Sequence, residues 1–309
     1  NCGGLVIAQV RNLAERGSLH PQLVRVPGIL VDVVVVDSDQ WQTSQGVHDP
    51  ALCGAARRPM AAFEPMPLNQ RKIIARRAAH ELEPGMVINL GFGIPDGVAS
   101  VAHEEHLMDD ITATIEQGLI GGIPAQGDIF GAAYNPQAFV DAPSQFDFYA
   151  GGGLDLTCLG MAQVDRHGNV NVSRFGATIA GCGGFIDISQ SAEMAVFCGT
   201  FTAGGLQTEV VDGELSVVAE GRATKFVDEV EHITFSGRQA HAQGQTVLYV
   251  TERAVFRLTA DGPELIEVAP GIDLQTQVLD LMGFRPAISP ELTTMDAGIF
   301  AEAPRGLTF

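Results

Sequence analysis

With 309 residues, 46% of them hydrophobic, the chain can bury a substantial core and reads as one large or two modest globular domains. A net charge of −19 and a pI near 4.6 exclude nucleic acid as an expected partner, because binding it needs a basic face. No apolar run reaches membrane-spanning length, so no membrane is expected either.

An anionic ligand is compatible with this charge only at a locally positive or amide-lined site. The basic clusters Arg57–Arg58, Arg71–Lys72 and Arg76–Arg77 read first as solvated surface charge. The cysteines, Cys2, Cys53, Cys158, Cys182 and Cys198, are odd in number and form no C-x-x-C pair. That pattern predicts a reduced, cytoplasmic compartment. His103 and His106 flank two glutamates without the i, i+4 spacing of a helical zinc pair, and no metal site is expected. The start, NCGGLVIAQVRNL, has no basic region before its apolar residues and no initiator Met; it is expected to carry no signal peptide and to be processed or cut.

In chain order, residues 1–16 have a mixed, helix-like pattern in which a strand at Val6–Val10 is also possible. Pro27-Gly28 marks a turn, and ILVDVVVV (29–36) reads as a buried strand. Residues 37–66 lack a period and read as a connector, which places a domain boundary near residue 67. Asn69 is a candidate cap for a helix running to Glu83, with Ile74, Ala78 and Leu82 on one face and Pro84-Gly85 as its stop. Met86–Leu90 reads as a strand. It is followed by the loop GFGIPDG (91–97), in which Gly91 and Gly93 are candidate ligand-facing positions, and by a helix over 98–107. Such a turn can cradle an anion, although tight strand–helix packing explains its glycines equally well.

Ile111–Ile115 is the next strand, and a single carboxylate, Glu116, follows it. Gly118, Gly121, Gly122, Pro124 and Gly127 come next. An acid there is ordinarily a solvated turn residue. In an α/β sheet, however, ligands bind outside the carboxyl ends of strands, and glycines let backbone approach them. Further on, Gly151–Gly153 precedes a strand over 154–164, and Asp165–Gly168 turns it into a hairpin with 169–173. GCGG (181–184) opens a helix at FIDISQSAE and can supply paired amides for an oxyanion, or simply a turn too tight for a Cβ. Glu193–Cys198 is another buried strand. β signals then dominate at 215–219, 225–230, 247–250, 254–258 and 265–268, before a terminal helix over 273–282 and a Pro- and Gly-rich tail over 287–309. The predicted fold is an open, mainly parallel α/β sheet flanked by helices, with a β-rich later part.

Four segments in this order resemble class I coenzyme A transferases: NLGFGIPDGVA (89–99), IEQGLIGGIP (115–124), GGGLDLTCLGMAQVDRHGNVNVS (151–173) and AGCGGFIDI (180–188). TERAVFRL and LIEVAPGIDL fit the same pattern. The nearest resemblance is to acetate or propionate CoA-transferases with both halves fused, because Ile115-Glu116-Gln117-Gly118 stands where the ketoacid branch has Ser-Glu-Asn-Gly. The resemblance implies that residues 1–66 are the end of an amino-terminal half plus connector, and 67–309 the carboxyl-terminal domain carrying the nucleophile. It implies Glu116 as that nucleophile, attacking an acyl-CoA and passing through a glutamyl-CoA thioester to a short-chain carboxylate. Gly183 and Gly184 would then stabilise the oxyanion. Gly151, Gly152, Gly153 and Gln117 would line the coenzyme A site, and Gly91, Gly93, Gly121 and Gly122 would form the substrate loop. Coenzyme A would be substrate and covalent intermediate, with no separate cofactor, and the implied partners are the missing amino-terminal half and further copies of the chain. An acyl-CoA hydrolase on the same fold, and a non-catalytic module for coenzyme A or a sugar phosphate, are the competing readings.

Overall fold

The computed structural model describes residues 3–41, 46, 48–304 and 306. Cys2 and the end of the predicted tail lie outside these residues. By compactness the chain divides into two units, Asn1–Pro50 and Ala51–Phe309.

In the smaller unit Ile7–Val10 pairs in parallel with Val33–Val36, in the register Ile7↔Val33 to Val10↔Val36. No helix replaces this strand among the described residues of 3–16. The β-branched run forms a strand as predicted, but only from Val33, since Gly28–Leu30 is a 3-10 turn. It is also exposed rather than buried, because this two-stranded sheet leaves its valines uncovered.

In the larger unit, residues 51–66 are more tightly attached than a free connector would be. Leu52 packs with Ala125 and Ile129, and Asn135 exchanges hydrogen bonds with the Arg58 backbone at 2.7 and 2.9 Å. The Arg58 guanidinium also covers the rings of Phe63 and Tyr134.

A ten-stranded sheet is the backbone of this unit. Its strands are β1 (Val87–Leu90), β2 (Thr112–Ile115), β3 (Leu119–Ile120), β4 (Ala138–Phe139), β5 (Leu156–Gly160), β6 (Met194–Cys198), β7 (Thr246–Val250), β8 (Ala254–Thr259), β9 (Gly262–Val268) and β10 (Ala287–Thr294). They lie in the order β10-β9-β8-β7-β6-β5-β1-β2-β3-β4. The central run β7-β6-β5-β1-β2 is parallel. Antiparallel pairing extends it through β3 and β4 on one side and through β8 and β9 on the other.

Helices cover both faces, as a parallel sheet requires. On one face α1 (Gln70–Ala79) and α2 (Gly97–Glu104) bury Ile73, Ile74, Val98 and Val101 against Ile88, Leu90, Leu156 and Cys158. On the other, α3 (Ala142–Ala150) and α4 (Phe185–Ser191) bury Tyr149, Phe185 and Ile188 against Leu159, Ala195 and Phe197. Pattern reading located the start and cap of α1, but the helix ends at Ala79 instead of Glu83; Ile74, Ala78 and Leu82 are all core residues. Three further expectations need correction. Residues 225–230 form no strand, only a bridge from Phe226 to Val164 after the short strand Ala223–Thr224. The terminal helix is one turn, Leu274–Gln277, followed by a 3-10 turn. The tail supplies an edge strand, and Ile299 and Phe300 are core residues whose neighbourhood is held by the buried Arg76 guanidinium donating to backbone carbonyls of Ile299 and Ala303.

The Asn69 side chain accepts from the amides of Arg71 (3.0 Å) and Lys72 (3.1 Å) at the start of α1. Asn69→Ala is expected to lower unfolding stability by about 1 kcal/mol, with Asn69→Asp retaining most of it. Urea denaturation midpoints check this; equal losses in the two variants would show that the cap is not the cause.

Candidate active site

Chain order reverses across the sheet at β1. The chain runs from β1 to β2 on one side, then returns to place β5 on the other. A crevice forms at such a switch point, outside the carboxyl ends of the strands. A cavity of about 390 Å³ occupies this place. Gly91 and Phe92 after β1, Glu116 after β2, Leu159–Met161 at the end of β5, and Cys182–Phe185 at the start of α4 line it.

Local sequence dictates how Glu116 is presented. Ile115 pairs with Leu119, and the Gly118 amide donates to the Ile115 carbonyl at 2.8 Å, so residues 116–118 form a three-residue hairpin loop. Such loops place a glycine at a positive-φ position. Gly118 has φ of 107°, and a Cβ there would sit 2.0 Å from the Val140 carbonyl oxygen. Glu116 is the first loop residue and is half-buried.

Its partner in the fold is an amide. Asn89 Nδ2 donates to Glu116 Oε2 at 3.3 Å, and also faces the Thr114 carbonyl oxygen at 3.3 Å and the Tyr149 hydroxyl at 3.5 Å. Asn89, Thr114 and Thr157 stand in one register row on β1, β2 and β5. Strand alternation turns them away from Ile88 and Leu90, toward the face covered by α3, and all three are buried. Burial pushes the Tyr149 hydroxyl above its usual range and the nearby Glu116 charge adds to this, while hydrogen bonding with Thr114 and Asn89 opposes it.

The structure thus brings Glu116, Gly183, Gly184 and Gly91 to one cavity. The other expected residues lie outside its lining. Gln117 is exposed and lies along Gly131. A Cβ at Gly121 would meet the Gln137 side chain at 2.5 Å, and one at Gly122 the Tyr134 carbonyl at 2.2 Å, so their glycines serve the packing of the chain on itself. Gly151 caps α3, and Gly153 lets the chain pass the Phe148 ring. Gly93, with φ of 90°, donates its amide to Asp96 at 3.2 Å.

Pattern reading missed Asn89, Tyr149 and the aromatic pair Phe92–Phe130, whose ring centroids lie 5.4 Å apart at the cavity. The available signal for Asn89 was an amide residue inside the apolar strand MVINL, where a buried polar group needs partners.

No family model matches the chain. It is 51% identical over 307 residues to the acetate CoA-transferase YdiF of Escherichia coli (strain K12), covering 99% of this chain and 58% of that protein. It is 48% identical to the caffeate CoA-transferase of Acetobacterium woodii, covering 99% of this chain and 60% of that protein. The chain therefore spans less than two thirds of these relatives. It is 30% identical over 219 residues to the acetate CoA-transferase subunit beta of E. coli (strain K12), covering 68% of this chain and 90% of that subunit. Among solved structures it resembles the acyl-CoA transferase YdiF of E. coli O157:H7 in a thioester complex with CoA, at 50% identity and a TM-score of 0.86, over 99% of this chain and 57% of that one.

Gly118→Ala is expected to destabilise more than Gly183→Ala. Both carry a left-handed backbone cost of about 1–2 kcal/mol, but only the first drives a Cβ into a carbonyl, whereas nothing lies within 4 Å at Gly183. Chemical denaturation of the two variants checks the order.

Proposed function

We infer the activity from one premise: the chain belongs to the coenzyme A transferases. It is proposed to move coenzyme A between a short-chain acyl-CoA and a free carboxylate such as acetate. The observation that carries this reading is the placement of one carboxylate, Glu116, in a cavity at the switch point, with an amide rather than a cation as its partner.

A carboxylate that ends a strand at the mouth of such a cavity is placed to attack. Glu116 adds to the acyl-CoA carbonyl and expels the coenzyme A thiolate, which leaves an acyl-glutamyl anhydride. The thiolate attacks the glutamyl carbonyl, the first carboxylate departs, and a glutamyl-CoA thioester remains. A second carboxylate reverses both steps. Each addition passes through a tetrahedral oxyanion, for which the amides of Gly183 and Gly184 are the proposed donors; losing one such donor typically costs about 3 kcal/mol in the barrier. Phe92, Phe130, Leu159 and Met161 make much of the wall apolar, which keeps the carboxylate lightly solvated and limits hydrolysis of the thioester.

Residues 1–66 are proposed as the end of an amino-terminal half with its connector, and 67–309 as the carboxyl-terminal half that carries the nucleophile. The uncovered valines of Val33–Val36 support this, since a β-branched strand of that kind belongs inside a larger sheet. Copies of the chain are proposed to associate in the complete enzyme. A reducing cytoplasm is the proposed setting, and the unbridged Cys158, Cys182 and Cys198 suit it.

Incubation of the full-length enzyme with acyl-CoA and isotopically labelled acetate tests the reading. Label is expected to enter acyl-CoA, and Glu116→Gln is expected to lower turnover by on the order of 10³-fold or more. Release of free coenzyme A without label entering the thioester would mean a hydrolase. Binding without either reaction, unchanged in Glu116→Ala, would mean a binding module.

A further inference from the structure

We propose that Tyr149 and Thr114 are positioning residues for the Glu116 carboxylate, acting through Asn89 by fixing which end of its amide meets the acid. This rests on the reading of Glu116 as the nucleophile and adds to it a device for aiming that nucleophile.

The direction of the hydrogen-bond chain follows from its fixed end. The Ile88 carbonyl can only accept, and it takes the Thr114 hydroxyl proton at 2.8 Å. Thr114 Oγ1 has then used its one proton, so toward Tyr149 it can only accept, and the Tyr149 hydroxyl donates to it at 2.9 Å. Tyr149 has likewise used its one proton. Its oxygen can only accept from Asn89, whose Nδ2 lies 3.5 Å away. The Thr114 carbonyl, 3.3 Å from the same nitrogen, is a second obligatory acceptor. The NH₂ end of Asn89 is therefore held on this side: its two N–H groups are shared among three acceptors, and Glu116 Oε2 at 3.3 Å faces a donor instead of a lone pair.

The other end of the amide supports the argument. Asn89 Oδ1 is buried and has no hydrogen-bond partner among the described residues. An amide that leaves its oxygen unsatisfied is oriented by what its nitrogen touches. Tyr149 is itself immobilised: it is fully buried on α3, with the ring edge-on to Phe146 at 6.0 Å between centroids. Burial and the Glu116 charge keep its hydroxyl protonated. Gln145, on the same helix, comes near that hydroxyl, but its Nε2 does not meet hydrogen-bond geometry. It therefore does not replace the Asn89 donor.

Without the Tyr149 oxygen, Asn89 loses one of the acceptors that hold it. The amide plane would then be set by the Thr114 carbonyl and Glu116 alone, and any turn of the partly negative Oδ1 toward the carboxylate would move Glu116 out of line. Misplacement on the order of 1 Å costs roughly 100-fold in rate. Substrate binding, which does not use Tyr149, would change little.

Steady-state kinetics of the full-length enzyme test this with Tyr149→Phe, Thr114→Val, Thr114→Ser and the Phe/Val double variant, beside Glu116→Ala. The expected result is a fall in kcat of roughly 10- to 100-fold for the Phe and Val variants, with KM for acyl-CoA within about 3-fold. Thr114→Ser, which keeps the hydroxyl, is expected to stay near the parent. The double variant is expected to be little worse than the poorer single one, because both changes break one chain. A kcat within about 2-fold of the parent in Tyr149→Phe, with Glu116→Ala inactive, would overturn the proposal and leave the nucleophile in place. Activity retained in Glu116→Ala would overturn both. If Tyr149→Phe does not fold, Thr114→Val leaves the ring intact and decides by the same criteria.

Discussion

The reversal of strand order at β1 is the constraint on which the site depends. A parallel sheet built outward from one strand in both directions parts its connections at that strand, and the gap between them opens at the carboxyl ends. β1 and β5 flank that gap, and β2 adds Glu116 from its own end. The acid therefore needs no long loop to reach the cavity. A three-residue hairpin loop suffices, and its conformation is set by Gly118 rather than by the ligand.

The same sheet gives the site its polar support. Period-2 alternation sends the apolar residues of β1 into the core under α1 and α2, and sends Asn89 to the opposite face with Thr114 and Thr157. A row of buried polar groups in a parallel sheet is costly unless satisfied. Here its donors are satisfied by neighbouring strand carbonyls, by Tyr149 from α3, and by Glu116 itself, while Asn89 Oδ1 alone of the row is left without a partner among the described residues. Packing and chemistry thus meet at one amide, which belongs to the core and touches the carboxylate.

Much of this was legible in the sequence, for reasons that differ by element. α1 was readable because a capping Asn and an i, i+4, i+8 apolar face agree, although the helix ends at Ala79, before the Pro-Gly stop. The central parallel strands were readable because short β-branched or apolar runs lie between turn and glycine signals, even where Asn89, Thr114 and Thr157 interrupt them. Glu116 was legible as a lone acid between a strand and a glycine. The glycines were harder to read, because a positive φ needed for a turn and an open backbone facing a ligand leave the same letter. Gly183, Gly184 and Gly91 border the cavity, while Gly121, Gly122 and Gly153 relieve contacts of the chain with itself. Tyr149 was not legible, since only the packing of α3 on β1 and β2 brings its hydroxyl to Thr114 and Asn89. The run ILVDVVVV read as buried because composition reports what a strand prefers, not whether a second layer is present to cover it.

The central claim is that Glu116 forms the covalent bond to coenzyme A. The most direct measurement is peptide mapping by mass spectrometry after the full-length enzyme has met acyl-CoA without an acceptor. The account predicts a coenzyme A thioester on the peptide containing Glu116, discharged when acetate is added. An adduct on another peptide, or turnover with no adduct at all, would contradict it.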